Sequence, residues 1–160
     1  MIELKPRMEP IKMIGKDAHR RWTLLEDWSF FLSSRQLHIH IPKGFVFNGA
    51  SVPRIFSNIF PSTGFLFLAA LVHDYLYQYT FMWTVVDSKH IKYYVDKGLA
   101  DDIFKAIANE IYPKWTKAAW IAKAALTMGG QSAWDACRKA DGTYVKPKPY
   151  KYWGNEEDEY

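Results

Sequence analysis

The run Ala69-Ala70-Leu71-Val72-His73-Asp74-Tyr75-Leu76-Tyr77 constrains this chain more than any other stretch. Its apolar residues lead up to a histidine, a carboxylate and a tyrosine at i, i+1 and i+4, here taken as wound into a helix. His73 and Tyr77, four residues apart, then stack on one face, while Asp74 sits about 100° round the axis. The polar trio therefore emerges from a core wall. A second carboxylate pair, Asp101-Asp102, follows on what reads as the next long helix. A histidine and carboxylates joined across two packed helices can carry general acid–base chemistry. They can equally form a buried polar knot that only locks the helices together.

The chain before this run reads as β-structure. Trp22 to Leu25, Trp28 to Leu32, Leu37 to Ile41 and Phe45 to Phe47 are short runs bounded by charged, small or turn-forming residues. In the third, Leu37, Ile39 and Ile41 face one way and His38 and His40 the other. Two histidines on one strand face could take a metal, but no third ligand lies nearby, so a solvent-facing pair is expected. An earlier short strand is expected around Ile11 to Ile14.

After the first helix, from about Phe65 to Tyr79, the stretch Phe81 to Val86 reads as a connector. Asp87 or Ser88 would cap a second helix ending near Ile111, with Gly98 as its weak point. On that helix His90 would lie about 16 Å from Asp101 by helical rise, too far to share an ion with it. Pro113 opens a third helix through Arg138, which Gly129-Gly130 would kink or split. The expected fold is α+β: a small N-terminal antiparallel sheet, three main helices and an extended C-terminal strap. Residues 1–20 form an irregular arm, 21–140 a single domain, and 141–160 the strap with an acidic end.

The 160 residues suit one domain with a tail, and 49% hydrophobic residues are ample for its core. An aromatic share of 17% points to rings that also serve an interface. The net charge is +4, and without Glu156, Glu157, Asp158 and Glu159 the remainder carries +8. That is compatible with an anionic partner such as nucleic acid or phospholipid, or with a plain basic surface. No dense Lys/Arg run appears, so sequence-specific nucleic-acid binding is not expected. The single cysteine, Cys137, excludes an internal disulfide. Neither a signal peptide nor a membrane-spanning helix is expected.

Asn48-Gly49-Ala50-Ser51-Val52-Pro53-Arg54 is a turn leading into a short helical segment. Arg54 is its one cation, a candidate either to pair with a buried carboxylate or to hold an anionic substrate group. The strap Lys146-Pro147-Lys148-Pro149-Tyr150-Lys151-Tyr152-Trp153 reads as extended. It is expected to dock on a partner or on a second copy of the chain.

Gly44-Phe45, Gly49 to Arg54, His73 to Tyr77, Ala100-Asp101 with Phe104, Gly129-Gly130 and Trp134 occur in an order that resembles one family. It is the group of small phage and prophage proteins called domain of unknown function 1353, and the likeness covers roughly residues 20 to 135. The family pattern has Asp where this chain has Asn48. The His-Asp-x-x-Tyr and Ala-Asp-x-x-Phe helices are also similar to the active-site helices of phospholipase A2. That resemblance implies His73 as general base, Asp101 as its orienter, Tyr77 as a supporting donor and Asp74 as a Ca²⁺ ligand. No match to the Gly-rich calcium loop is present, since only Pro61-Ser62-Thr63-Gly64 or the more distant Asn48-Gly49 could stand in for it. The implied function is a phage-encoded protein with a phospholipase-A2-like site that hydrolyses a lipid or other ester with metal assistance. The alternative is a virion or assembly protein that binds other phage proteins through its strap and whose His/Asp cluster is structural. Either would reside in the virion or in the cytoplasm of the infected cell.

Overall fold

The computed structural model describes residues 8–11, 21–47, 66–86 and 89–139. The N-terminal strands are β1 (Met8–Ile11), β2 (Arg21–Leu24), β3 (Trp28–Leu32), β4 (Leu37–Ile41) and β5 (Val46–Phe47). Helix α1 (Phe67–Tyr79) is followed by the hairpin β6 (Phe81–Val86) and β7 (Lys89–Tyr94). Helices α2 (Lys97–Ile111), α3 (Thr116–Gly129) and α4 (Gln131–Lys139) complete the described chain, with Pro113–Trp115 forming a 3-10 turn before α3.

The strands form two antiparallel sheets, ordered β1-β2-β5 and β3-β4-β6-β7. The fold is therefore α+β, with N-terminal antiparallel strands followed by helices. Strands β3 and β4 keep the expected alternation: Trp28, Phe30, Leu32, Leu37, Ile39 and Ile41 are buried, while Ser29 and His38 are exposed. The His38 and His40 side chains turn to local partners. The His38 ring lies 4.6 Å from that of Phe31, and His40 Nδ1 lies 2.7 Å from Ser29 Oγ.

Two segments depart from the sequence expectation. The first is the early strand, which is β1 at Met8–Ile11 against an expected Ile11 to Ile14. Residues 81–94 form a hairpin rather than a connector and the start of a helix, so His90 lies on β7 and not three turns before Asp101 on a helix. Thr84, Val85, Val86, Ile91, Tyr93 and Tyr94 are β-branched or aromatic and favour a pleated strand, and pairing of β6 with β4 and β7 fixes it. The helix starts later because Asp96 provides the cap, its Oδ1 accepting the Leu99 N–H at 2.7 Å. Asp96→Ala should cost about 1 kcal/mol of stability. Urea unfolding of the variant checks this, and Asp96→Ser should restore most of the loss.

Helix α1 is the core helix. Ala69, Ala70, Leu71, Val72, His73, Tyr75, Leu76 and Tyr77 are all buried. Burial on nearly every face follows from its composition. Thr80 ends the helix in the left-handed region at φ 57°, where its N–H bonds the Leu76 carbonyl at 2.9 Å. The expected third helix is divided at Gly130 into α3 and α4.

Candidate functional site

His73 and Tyr77 project from one face of α1, their ring centroids 4.0 Å apart. Facing them on α2, Lys97 and Asp101 form an i, i+4 pair with Nζ 3.0 Å from Oδ2. The Asp101 carboxylate is the hub. Its Oδ1 lies 2.9 Å from His73 Nε2 and accepts the Tyr77 hydroxyl at 2.9 Å. Its Oδ2 accepts from Lys97 Nζ and, at 3.3 Å, from the Thr127 hydroxyl on α3. Lys97 also donates to the Leu126 and Thr127 carbonyls at 3.3 and 3.2 Å, near the C-terminal end of α3, where the helix dipole favours a cation. The Phe104 and Trp134 rings close the cluster edge-on, against His73 and Tyr77 respectively. Helices α1, α2 and α3 therefore meet at one carboxylate, and α4 packs against the cluster through Trp134 on Tyr77.

Burial sets the electrostatics. Asp101 is fully buried and His73 is 5% exposed. Burial alone would raise the Asp101 pKa, but the bonds from His73, Lys97 and Tyr77 outweigh it and bring the carboxyl down to about 2. Burial holds His73 below its usual value, against the pull of Asp101 in the opposite direction, with Lys97 adding to the lowering. Burial, then the bond to Asp101, pushes the Tyr77 hydroxyl upward, so it stays a donor.

Those directions fix the tautomer. An ionised Asp101 can only accept, so His73 Nε2 carries the proton and Nδ1 holds the lone pair. The imidazole is thus neutral at pH 7, oriented by a carboxylate, with a basic nitrogen to offer.

The same shifts predict acid sensitivity. His73 is depressed in the folded state, so its contribution is complete above the unfolded value of 6.5 and declines as pH falls below it. Asp101 adds a further loss as pH falls from its unfolded 3.8 towards about 2. Urea midpoints should therefore drop between pH 7.5 and pH 5, and His73→Gln should flatten that part of the profile.

Gly130 is where the cluster leaves no room for a side chain. An added Cβ would lie 2.5 Å from the Leu126 carbonyl oxygen and 2.6 Å from the Tyr77 hydroxyl. Gly130→Ala should displace Tyr77 from Asp101 and destabilise by about 1–3 kcal/mol, the usual cost of overpacking. Thermal unfolding measures it, and adding Tyr77→Phe should recover part of the loss.

His73, Asp101 and Tyr77 are brought together; Asp74 lies beside them, half-buried and not among the groups bonded to Asp101. Arg54, Asn48, the segment 61–64 and the strap lie outside the described residues. Calcium takes six to eight oxygens. Among the described residues no group of three or more His, Cys, Asp or Glu side chains could hold a metal. Of the residues offered for the Ca²⁺ site implied by the phospholipase resemblance, Asp74 is described, whereas the loop candidates at 48–49 and 61–64 lie outside the described residues. Lys97, Thr127 and Gly130 are the participants that sequence reasoning missed. The Lys97–Asp101 spacing was visible as an i, i+4 pair, whereas nothing in the sequence marked Thr127. No helix among the described residues is long and apolar enough to cross a membrane.

No curated protein and no solved structure matches the chain. Residues 22–124 match the family described as "Protein of unknown function (DUF1353)", and the match spans the four-stranded sheet, β2 from Trp22, β5, α1, α2 and most of α3, leaving β1 outside. Since that is well over half of the sequence, the chain belongs to this family.

Proposed function

We propose that this chain is a phage-encoded hydrolase of carboxylic esters, lipid esters foremost, with His73 as general base. The observation that carries the reading is the 2.9 Å contact between His73 Nε2 and Asp101, which leaves Nδ1 as the basic nitrogen. In the reaction, Nδ1 takes a proton from an incoming water as the water oxygen attacks the ester carbonyl. Asp101 stabilises the resulting imidazolium, which returns the proton to the departing alkoxide. Lys97 weakens that stabilisation by sharing the carboxylate, and Tyr77 keeps the carboxylate in place. Arg54 is proposed to hold an anionic group of the substrate. Asp74 is the carboxylate towards which an added divalent ion would be drawn.

The test is fatty-acid release from phosphatidylglycerol vesicles by the full chain, with Ca²⁺ and with chelator. Release that His73→Ala abolishes and Lys97→Met changes would support the proposal. No release in either arm would defeat it.

A second reading rests on a specific observation: Asp101 already accepts from four side chains, and His73 is 5% exposed. Such a saturated knot suits an assembly or virion protein, located in the particle or the infected cell. It would bind other phage proteins or its own copies through residues 141–160. Absent hydrolysis, co-purification of the full chain with phage proteins, lost on deleting 141–160, would favour this reading.

A further inference from the structure

Away from the His73 cluster, a groove of about 640 Å³ opens between the 3-10 turn Ser33–Arg35 and one face of α2. Asp102, Lys105, Ala106 and Asn109 line the helical wall, spaced as a single helix face, and Arg35 lines the wall opposite. The acidic groups in the groove are committed. Glu110 accepts the Ser33 and Ser34 backbone N–H groups at 2.9 and 3.1 Å and also the Ser33 hydroxyl. Asp102 pairs with Lys123 at 2.8 Å.

The basic groups are not committed. Arg35 and Lys105 have no hydrogen-bond or ion-pair partner among the described residues. The backbone turn that carries Arg35 is clamped from α2 by Glu110 and closed by a Gln36 Nε2 bond to the Ser33 carbonyl at 2.9 Å. Asn109 adds a third feature: its Oδ1 is buried without a hydrogen-bond partner. A buried amide oxygen of this kind calls for a donor.

We propose that this groove binds a small phosphate monoester with a hydroxylated body, the chemistry shared by nucleotides and sugar phosphates. A planar guanidinium grips phosphate through two N–H groups, and an ammonium adds a point charge. Asn109 turns to accept from a hydroxyl or amino group of the ligand body. The groove's size falls in the range of small-molecule sites. The site is separate from the ester-hydrolysis reading and stands without it.

The experiment is calorimetric titration of the full chain with AMP, ribose 5-phosphate and inorganic phosphate. AMP or ribose 5-phosphate should bind saturably with a dissociation constant below about 1 mM. Arg35→Ala should weaken binding at least about tenfold, as loss of a charge-assisted contact does. Asn109→Ala should weaken both esters and leave inorganic phosphate unchanged. AMP binding with no ribose 5-phosphate binding assigns the nucleotide, and comparable binding of both assigns the shared sugar phosphate. No saturable binding of either ester overturns the proposal. So does an equal loss in Lys117→Ala, an exposed position outside the groove. Binding confined to RNA oligonucleotides would also overturn it.

Discussion

Replacing Asp101 by alanine should lower the unfolding free energy by about 3–5 kcal/mol, the usual cost of removing one partner from a buried ion pair. The loss is large because four donors lose one acceptor together: His73 Nε2, the Tyr77 hydroxyl, Lys97 Nζ and the Thr127 hydroxyl. Lys97 fares worst, since among the described residues its ammonium keeps only the Leu126 and Thr127 carbonyls. Adding Lys97→Met to Asp101→Ala should therefore recover part of the stability, because a fully apolar exchange costs less than a stranded charge. Urea unfolding of the two single variants and the double variant measures the coupling. Simple additivity of the two losses would contradict this description of the cluster.

Phe45→Ala should cost a similar amount, about 3–5 kcal/mol, for a different reason. Phe45 is 2% exposed, stacks 6.0 Å from Phe47, and meets the rings of Tyr75 and Tyr79 at 5.1 and 6.1 Å. Its carbonyl also accepts the Leu24 N–H at 3.0 Å. It thus ties the three-stranded sheet to the core helix, and truncation leaves a cavity among rings that cannot all collapse inward. Phe45→Leu should lose about half as much. A loss under about 1 kcal/mol for the alanine variant would mean that the sheet is not anchored on α1 at this point.

Local patterning made much of this arrangement legible in the sequence. The alternation of Leu37 to Ile41 sets strand faces without help from the rest of the chain, and those faces are found. The apolar run before His73 reads as a helix from about Phe65, and α1 begins two residues later. Spacing on α1 placed His73 above Tyr77. Their meeting with Asp101 depends on how two helices pack, which the spacing on either helix does not fix.

What remained illegible was tertiary. Residues 81–94 carry strand-forming side chains, yet Asp87 and Ser88 are as good cap residues as Asp96. Pairing of β6 with β4 and β7 decides the matter. Thr127 joins the cluster only because α3 ends beside Lys97. Gly130 reads as a helix breaker, whereas its place in the structure is set by the approach of Tyr77.

The most direct test of the central claim is a long-range ¹H–¹⁵N correlation spectrum of the His73 ring, followed from pH 8 to pH 4. A neutral ring protonated on Nε2 and unprotonated on Nδ1 is predicted at pH 7, with titration below 6.5. A ring carrying its proton on Nδ1, or already an imidazolium at pH 7, would contradict the general-base arrangement.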